Sequence, residues 1–92
     1  DILNLLKANK PALMLKYPIS ELGLFGSYAS GENTKNSDID ILVDFNQNID
    51  GFVYIKLAHE FEDLFNHKID LVSRKGIKPK YLPFVEKNLI HV

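Results

Sequence analysis

The segment from Asp38 to Phe45 limits the possible folds of this chain more than any other, because its residues alternate with the period of a β-strand. Successive side chains of a strand point to opposite faces of the sheet. One face of the segment is apolar and carries Ile39, Ile41, Val43 and Phe45. The other face carries Asp38, Asp40, Leu42 and Asp44. We therefore predict a strand that covers a core with one face and presents Asp38 and Asp40 together on the other.

The acidic pair itself suggests a metal site. Asp38 and Asp40 would stand about two residue rises, roughly 7 Å, apart at the backbone, close enough to share one cation or to straddle two. Two carboxylates this close repel each other, and Mg²⁺ would keep both ionised. Asp is disfavoured in strands, so the pair needs a reason. An edge strand with an acidic, solvated face would show the same pattern.

A third carboxylate follows in a second short strand, predicted over residues 68–72. Ile69 and Leu71 face one side of it, and Asp70 faces the other. If this strand pairs beside the first, Asp70 joins the acidic face. Three carboxylates from neighbouring strands can bind two Mg²⁺ ions beside triphosphate oxygens, with Asp70 in a bridging or general-base role. An isolated Asp in a short strand would be ordinary surface.

A glycine-serine turn precedes the acidic strand. The apolar run of residues 22–25 ends at Gly26 and Ser27, and Gly31 then stops a short helical stretch. Gly26 would let the backbone approach a phosphate, and Ser27 can donate to a β- or γ-phosphate oxygen. Ser27 could instead only cap the helix. Combined with the carboxylates, the turn indicates a nucleoside triphosphate site and nucleotidyl transfer.

These residues resemble the signature of minimal nucleotidyltransferases in the DNA polymerase β superfamily: Gly-Ser, ten residues, Asp-x-Asp and a later Asp on another strand. The positions are Gly26, Ser27, Asp38, Asp40 and Asp70. The resemblance covers nearly the whole chain. It implies an α/β (α+β) fold, with a small mixed β-sheet flanked by helices.

Small members with this layout are similar to MntA-type antitoxins, the partners of HEPN-domain ribonuclease toxins. Those antitoxins transfer AMP from ATP to a tyrosine of the toxin and so silence it. The resemblance therefore implies an Mg²⁺-dependent protein adenylyltransferase that uses ATP and two Mg²⁺ ions, with Asp38, Asp40 and Asp70 as the catalytic residues and metal ligands. It also implies a hetero-oligomer with a HEPN-domain toxin.

One residue departs from the family pattern. Many relatives carry arginine in a Gly-Ser-x-Ala-Arg-Gly turn, whereas this chain has Ser30 at that position. A hydroxyl thus replaces a fixed positive charge, which puts nucleotide affinity or rate in question. Lys35, in the same loop, is a candidate nucleotide-binding residue that could supply part of the missing charge.

Composition agrees with a small domain spanning residues 1–92. The 46% hydrophobic content is enough for one core, and the absence of cysteine excludes disulfides and suits a reducing cytoplasm. No apolar run approaches the roughly 20 residues of a membrane span. A net charge of −1 argues against direct nucleic-acid binding. The cations Lys68, Arg74, Lys75, Lys78 and Lys80 cluster near Asp70 and could steer triphosphate. The chain starts at Asp1, so we expect a few residues to precede it.

The remaining segments are predicted to be scaffold. An N-terminal helix should be renewed at Pro11 and stop at Pro18. A second helix should follow Asp50-Gly51 and bury one stripe of residues, and a last helix should have Pro79 in its first turn. The predicted stripe is Phe52, Ile55, Ala58, Phe61 and Phe65, flanked by Leu57 and Leu64. Residues 89–92 could add an edge strand.

The sequence leaves two alternatives to protein adenylylation open. The chain could be a binding module that neutralises a partner by contact, with the acidic cluster as a remnant. It could also transfer a nucleotide to a small hydroxylated molecule such as an aminoglycoside, although no second domain is evident to enclose one. The acceptor and the preferred triphosphate are not determined by these residues.

Overall fold

A computed structural model describes residues 1–92, and its centre is a four-stranded mixed sheet. The elements in chain order are α1 (Ile2–Lys16), β1 (Ile19–Phe25), α2 (Gly26–Ser30), β2 (Ile39–Phe45), α3 (Gly51–Phe65), β3 (Ile69–Ser73), α4 (Leu82–Glu86) and β4 (Ile90–His91). The strand order is β3-β2-β1-β4, with β1 antiparallel to both neighbours and β2 parallel to β3. The predicted mixed sheet flanked by helices is confirmed. None of the helices combines the length and apolarity that a membrane crossing requires.

The two faces of the sheet have different cores. Helices α1 and α3 cover one face, where Leu6, Leu13, Tyr17, Ile19, Leu22, Leu24, Ile39, Ile41, Val43, Phe45, Leu57 and Phe61 are buried. The other face has a smaller cluster, in which Phe25 and Leu42 contact Val85 of α4. The alternation of β2 is thus confirmed, because its apolar face lies in the large core. The opposite face keeps room for polar side chains beside a small apolar patch.

The buried stripe of α3 agrees with the predicted one only in part, because Phe61 is buried and Phe65 packs against the large core as predicted. Phe52 is 86% exposed and Ile55 is 54% exposed, whereas Leu57 and Phe61 are fully buried. Apolar residues surround much of the first turns of this helix, so the helical period is satisfied by more than one stripe. Packing against the sheet selects the stripe through Leu57 and Phe61, which the sequence alone could not single out.

Two proline predictions also need correction. Pro11 lies inside one continuous helix and not at the start of a renewed one. Proline removes one N–H donor, but Pro11 is exposed, so water can reach the carbonyl left without its partner. The last helix begins at Leu82, with Pro83 in its first turn, and Pro79 precedes it. The predicted edge strand is confirmed as β4, which pairs with β1.

Arg74 forms ion pairs on the second face of the sheet. It was grouped by sequence with cations that could steer triphosphate, but its guanidinium donates to both carboxylate oxygens of Glu21, at 2.5 and 2.7 Å. It also donates to Glu86 of α4 at 3.2 Å, and the His91 ring nitrogen lies 2.6 Å from Glu21. The Arg74 hydrogen bonds lower the pKa of Glu21 to about 2. Arg74 therefore has a structural role that joins β1 to α4, and Glu21 in turn joins β1 to β4 through His91.

Two phenylalanines of α3 give a matched test of the buried stripe. We expect Phe61→Ala to lower the free energy of unfolding by about 3–5 kcal/mol, because it opens a cavity in the large core. Phe52→Ala should change it by no more than about 0.5 kcal/mol, because that ring is largely exposed. Urea denaturation measures both, and equal effects would contradict the observed orientation of α3.

Candidate active site

The site is centred on two carboxylates that neighbouring strands hold side by side. Asp40 of β2 is the register partner of Asp70 in the parallel strand β3. Residues paired in this way project to the same face, and the two carboxyl groups are within hydrogen-bonding reach. The Tyr54 hydroxyl donates to the Leu71 carbonyl at 2.7 Å and fixes β3 next to Asp70. The predicted meeting of Asp70 with the acidic strand is therefore observed.

Gly26 brings the glycine-serine turn against the same carboxylates. Its φ of +69° lies in the left-handed region that favours glycine. A β-carbon placed on Gly26 would overlap a carboxylate oxygen of Asp40 and stand 2.9 Å from its carboxyl carbon. The missing side chain thus makes room for Asp40 itself, whereas the sequence suggested room for a phosphate. Ser27 follows directly in α2, and Gly31 ends that helix with φ +82° as predicted.

The surroundings of Asp40 oppose its ionisation. Burial raises its pKa to about 6, and the adjacent Asp70 and the nearby Asp38 add to that shift. Half-buried carboxylates that repel each other gain from a bound cation, which offsets their mutual repulsion. A cation bound beside Asp40 would therefore favour its ionised form.

Asp38 was predicted to lie within the acidic strand, but it precedes β2 and belongs to the loop before it. Its carboxylate is 3.8 Å from the Lys68 ammonium. A ring nitrogen of His67 lies 2.6 Å from the Ser37 carbonyl, and the Tyr28 ring contacts His67 edge-on, with ring centroids 5.9 Å apart. The sequence assigned His67 only to packing, and no motif marks it. It nevertheless anchors the loop that delivers Asp38.

The donor set fits a hard divalent cation in its chemistry. Asp38, Asp40 and Asp70 offer carboxylate oxygens, the ligand type that Mg²⁺ prefers. Their side chains do not stand as a ready three-ligand cluster, because Asp38 is turned toward Lys68 while Asp40 adjoins Asp70. A change of the Asp38 rotamer would be needed to bring all three to one ion. Asp40 and Asp70 therefore form the assembled part of the site.

A cleft of about 340 Å³ opens beside the glycine-serine turn, and we name it the turn cleft. It is lined by Gly26, Ser27, Ser30, Glu32, Phe84, Lys87 and Asn88. Ser30, which replaces the usual arginine, is therefore a lining residue of this cleft. Its hydroxyl donates to the Ser27 carbonyl at 3.2 Å. Lys35 is exposed in the loop and does not line it. The cation at the cleft is Lys87, which sequence reasoning missed because α4 carries no recognisable motif.

Asp40→Asn should separate the electrostatics of the site from its packing. The pKa of Asp40 is higher in the folded state than its ordinary value of 3.8, so the folded state binds a proton more tightly. Protonated Asp40 therefore makes its full contribution to the stability of the folded state below about pH 4, and this contribution is lost as the pH rises through about 6. Without divalent cations, Asp40→Asn should therefore be more stable than wild type at pH 8 and similar to it near pH 4.

Urea denaturation in a chelator at both pH values measures this difference. Asp44→Asn is the matched control, because Asp44 lies on the same face of β2 and accepts a hydrogen bond from the Phe45 amide at 2.9 Å. Equal stability of Asp40→Asn and Asp44→Asn at pH 8 would count against a strained Asp40.

Known proteins match this chain in sequence and in structure. Residues 6–91 match the family described as nucleotidyltransferase domain. A Methanocaldococcus jannaschii protein assigned as a protein adenylyltransferase is 39% identical over 93 residues, covering 100% of this chain and 95% of that protein. The protein adenylyltransferase MntA of Thermococcus cleftensis is 34% identical over 92 residues, covering 100% and 93%.

The similarity extends to a solved three-dimensional structure. A crystal structure of a toxin-antitoxin with AMP-PNP contains a chain of 28% identity, with a TM-score of 0.71 over 98% of this chain and 68% of that one. The glycine-serine turn and the paired carboxylates are the features expected of the nucleotidyltransferase family that these matches indicate. This chain therefore belongs to the nucleotidyltransferase domain family and is a minimal nucleotidyltransferase related to MntA.

Proposed function

We propose that this nucleotidyltransferase transfers AMP from ATP to a tyrosine hydroxyl of a HEPN-domain toxin and so acts as its antitoxin. The observation that carries the proposal is the contact of Asp40 with both Asp70 and the Gly26 turn. The likeness to MntA and to a toxin-antitoxin structure with AMP-PNP supports it. We assign the activity to one domain of residues 1–92, without direct nucleic-acid binding.

The proposed roles follow from where each residue stands. Gly26 and Ser27 contact the β- and γ-phosphates in the turn cleft, where Lys87 adds positive charge. Lys35 stays a candidate for a further phosphate contact. Two Mg²⁺ ions would be held by the carboxylates of Asp38, Asp40 and Asp70. When bound, these ions would neutralise phosphate charge and favour the deprotonated form of the acceptor hydroxyl.

The transfer is a direct displacement at the α-phosphorus. The acceptor oxygen forms a bond to that phosphorus while the bond to the bridging oxygen of the β-phosphate breaks, and pyrophosphate leaves. The hydroxyl proton passes to Asp70, to which we assign the role of general base. We assign Ser27, which follows Gly26 beside Asp40, to phosphate binding, so the proposed transfer is direct and has no covalent enzyme intermediate.

A second candidate is an antitoxin that acts by contact alone. The observation that favours it is Ser30, which places a neutral hydroxyl where many relatives have arginine. In that case the carboxylates would not be needed to neutralise the partner.

Labelled ATP distinguishes these functions. The protein is incubated with Mg²⁺, ATP labelled on the α-phosphate and a HEPN-domain protein encoded beside it. Wild type and Asp44→Asn should label the partner, and Asp40→Asn should be slower by about a thousandfold, because metal stabilisation of the transition state is worth several kcal/mol. Unchanged labelling by Asp40→Asn would contradict the metal role. A tight complex without any labelling would support neutralisation by contact.

Restoring the arginine of the turn gives an independent test. Ser30→Arg should lower the KM for ATP by about tenfold, because one hydrogen bond to a charged group contributes about 1.5–3 kcal/mol. Ser30→Gln, of similar length and without charge, is the control and should stay near wild type. Steady-state kinetics with varied ATP measures the change. The same KM for both variants would mean that residue 30 does not contact the nucleotide.

A further inference from the structure

A second cavity, of about 380 Å³, opens beside Asp70 on the same face of the sheet. We name it the apolar cavity. Its lining includes Phe25, Val72, Ile77, Tyr81, Phe84 and Val85, with Asp70 in its wall. Phe25 and Val85 belong to the small core cluster, so the floor is rigidly packed. Tyr81 and Phe84 are 54% and 67% exposed and form an aromatic rim.

Phe84 lies between this cavity and the turn cleft, because its side chain lines both. Gly26 and Ser27 line only the turn cleft, and Asp70 lines only the apolar cavity. An in-line displacement requires the acceptor oxygen and the departing pyrophosphate to be on opposite sides of the α-phosphorus. With the phosphates at the glycine-serine turn, the acceptor must approach from the side of Asp70.

The chemistry of the lining indicates what the acceptor group is. A phenol ring is apolar except for one hydroxyl, and the cavity is mostly apolar, with polar side-chain groups from Asp70, Lys78 and Tyr81. Adenine has several polar atoms around its ring, which this lining would leave without partners at a considerable cost. A serine or threonine side chain is too short to fill the cavity and would gain little from its apolar walls.

We propose that the apolar cavity is the acceptor subsite and that it selects the phenol ring of a partner's tyrosine over an aliphatic hydroxyl. This inference rests on the proposed function, whose acceptor it locates. The ring packs between Ile77, Val72 and Phe84, and its hydroxyl reaches Asp70. The new phosphorus–oxygen bond forms at that oxygen, its proton goes to Asp70, and pyrophosphate departs on the far side of Phe84.

Methyl-resolved NMR tests the subsite without any turnover. The full chain is titrated with N-acetyl-tyrosinamide, N-acetyl-serinamide and AMP, each alone. The tyrosine compound should shift the methyl signals of Val72, Ile77 and Val85 but not that of Ile55, which lies on α3. The serine compound should leave all four unchanged. Shifts of the cavity methyls by AMP instead of the tyrosine compound, or by none of the three, would overturn the proposal.

A matched pair of variants tests selection during transfer. Ile77→Ser should raise the KM for the acceptor protein by about tenfold and leave the KM for ATP unchanged. Because Ile77 packs against the small core cluster, its urea midpoint should fall, and both KM values are measured where the variant is fully folded. Ile55→Ser, at an exposed isoleucine remote from the cavity, should change none of them. Equal acceptor KM values for the two variants would overturn the subsite. Absence of transfer by wild type would count against the proposed function, while the methyl shifts would still decide where a phenol binds.

Discussion

The parallel pairing of β2 with β3 is the constraint on which the rest of this molecule depends. It sets Asp40 beside Asp70, an arrangement that electrostatics opposes and that burial of Asp40 makes worse. The pairing holds because the other faces of the same strands lie in the large core, where Ile39 and Ile41 are fully buried. A slip of β2 by one residue would expose those side chains and move Asp40 to the core. The apolar face thus fixes the position of the polar one.

Parallel strands need a crossover, and α3 provides it. The helix packs through Leu57 and Phe61, while its Tyr54 hydroxyl reaches the backbone of β3 beside Asp70. On the opposite face, α4 is held by Val85 and by the ion pair of Glu86 with Arg74. The site therefore lies on a sheet supported from both sides, although the chain has only 92 residues.

Local patterns predicted the parts of the site that depend on neighbouring residues. The alternation around Asp40 predicted a strand, and Gly26 and Gly31 predicted turns. The structure has the strand and a positive φ at both glycines. The face of Asp70 was predicted correctly because Ile69 and Leu71 on either side of it pack against the large core. What failed depends on distant packing. The stripe of α3 is chosen by the sheet, and the role of Arg74 is set by Glu21, which is 53 positions away. Phe84 and Lys87 reach the site only because α4 folds back over it, and nothing in their own sequence signals that.

The shared position of Phe84 links the two cavities thermodynamically. One ring forms part of the wall of each, so a ligand that displaces the ring on one side alters the surface offered on the other. Such coupling is reciprocal: the factor by which a bound nucleotide changes acceptor affinity equals the factor by which the acceptor changes nucleotide affinity. Through the single side chain of Phe84, each substrate can thus raise or lower the affinity of the protein for the other.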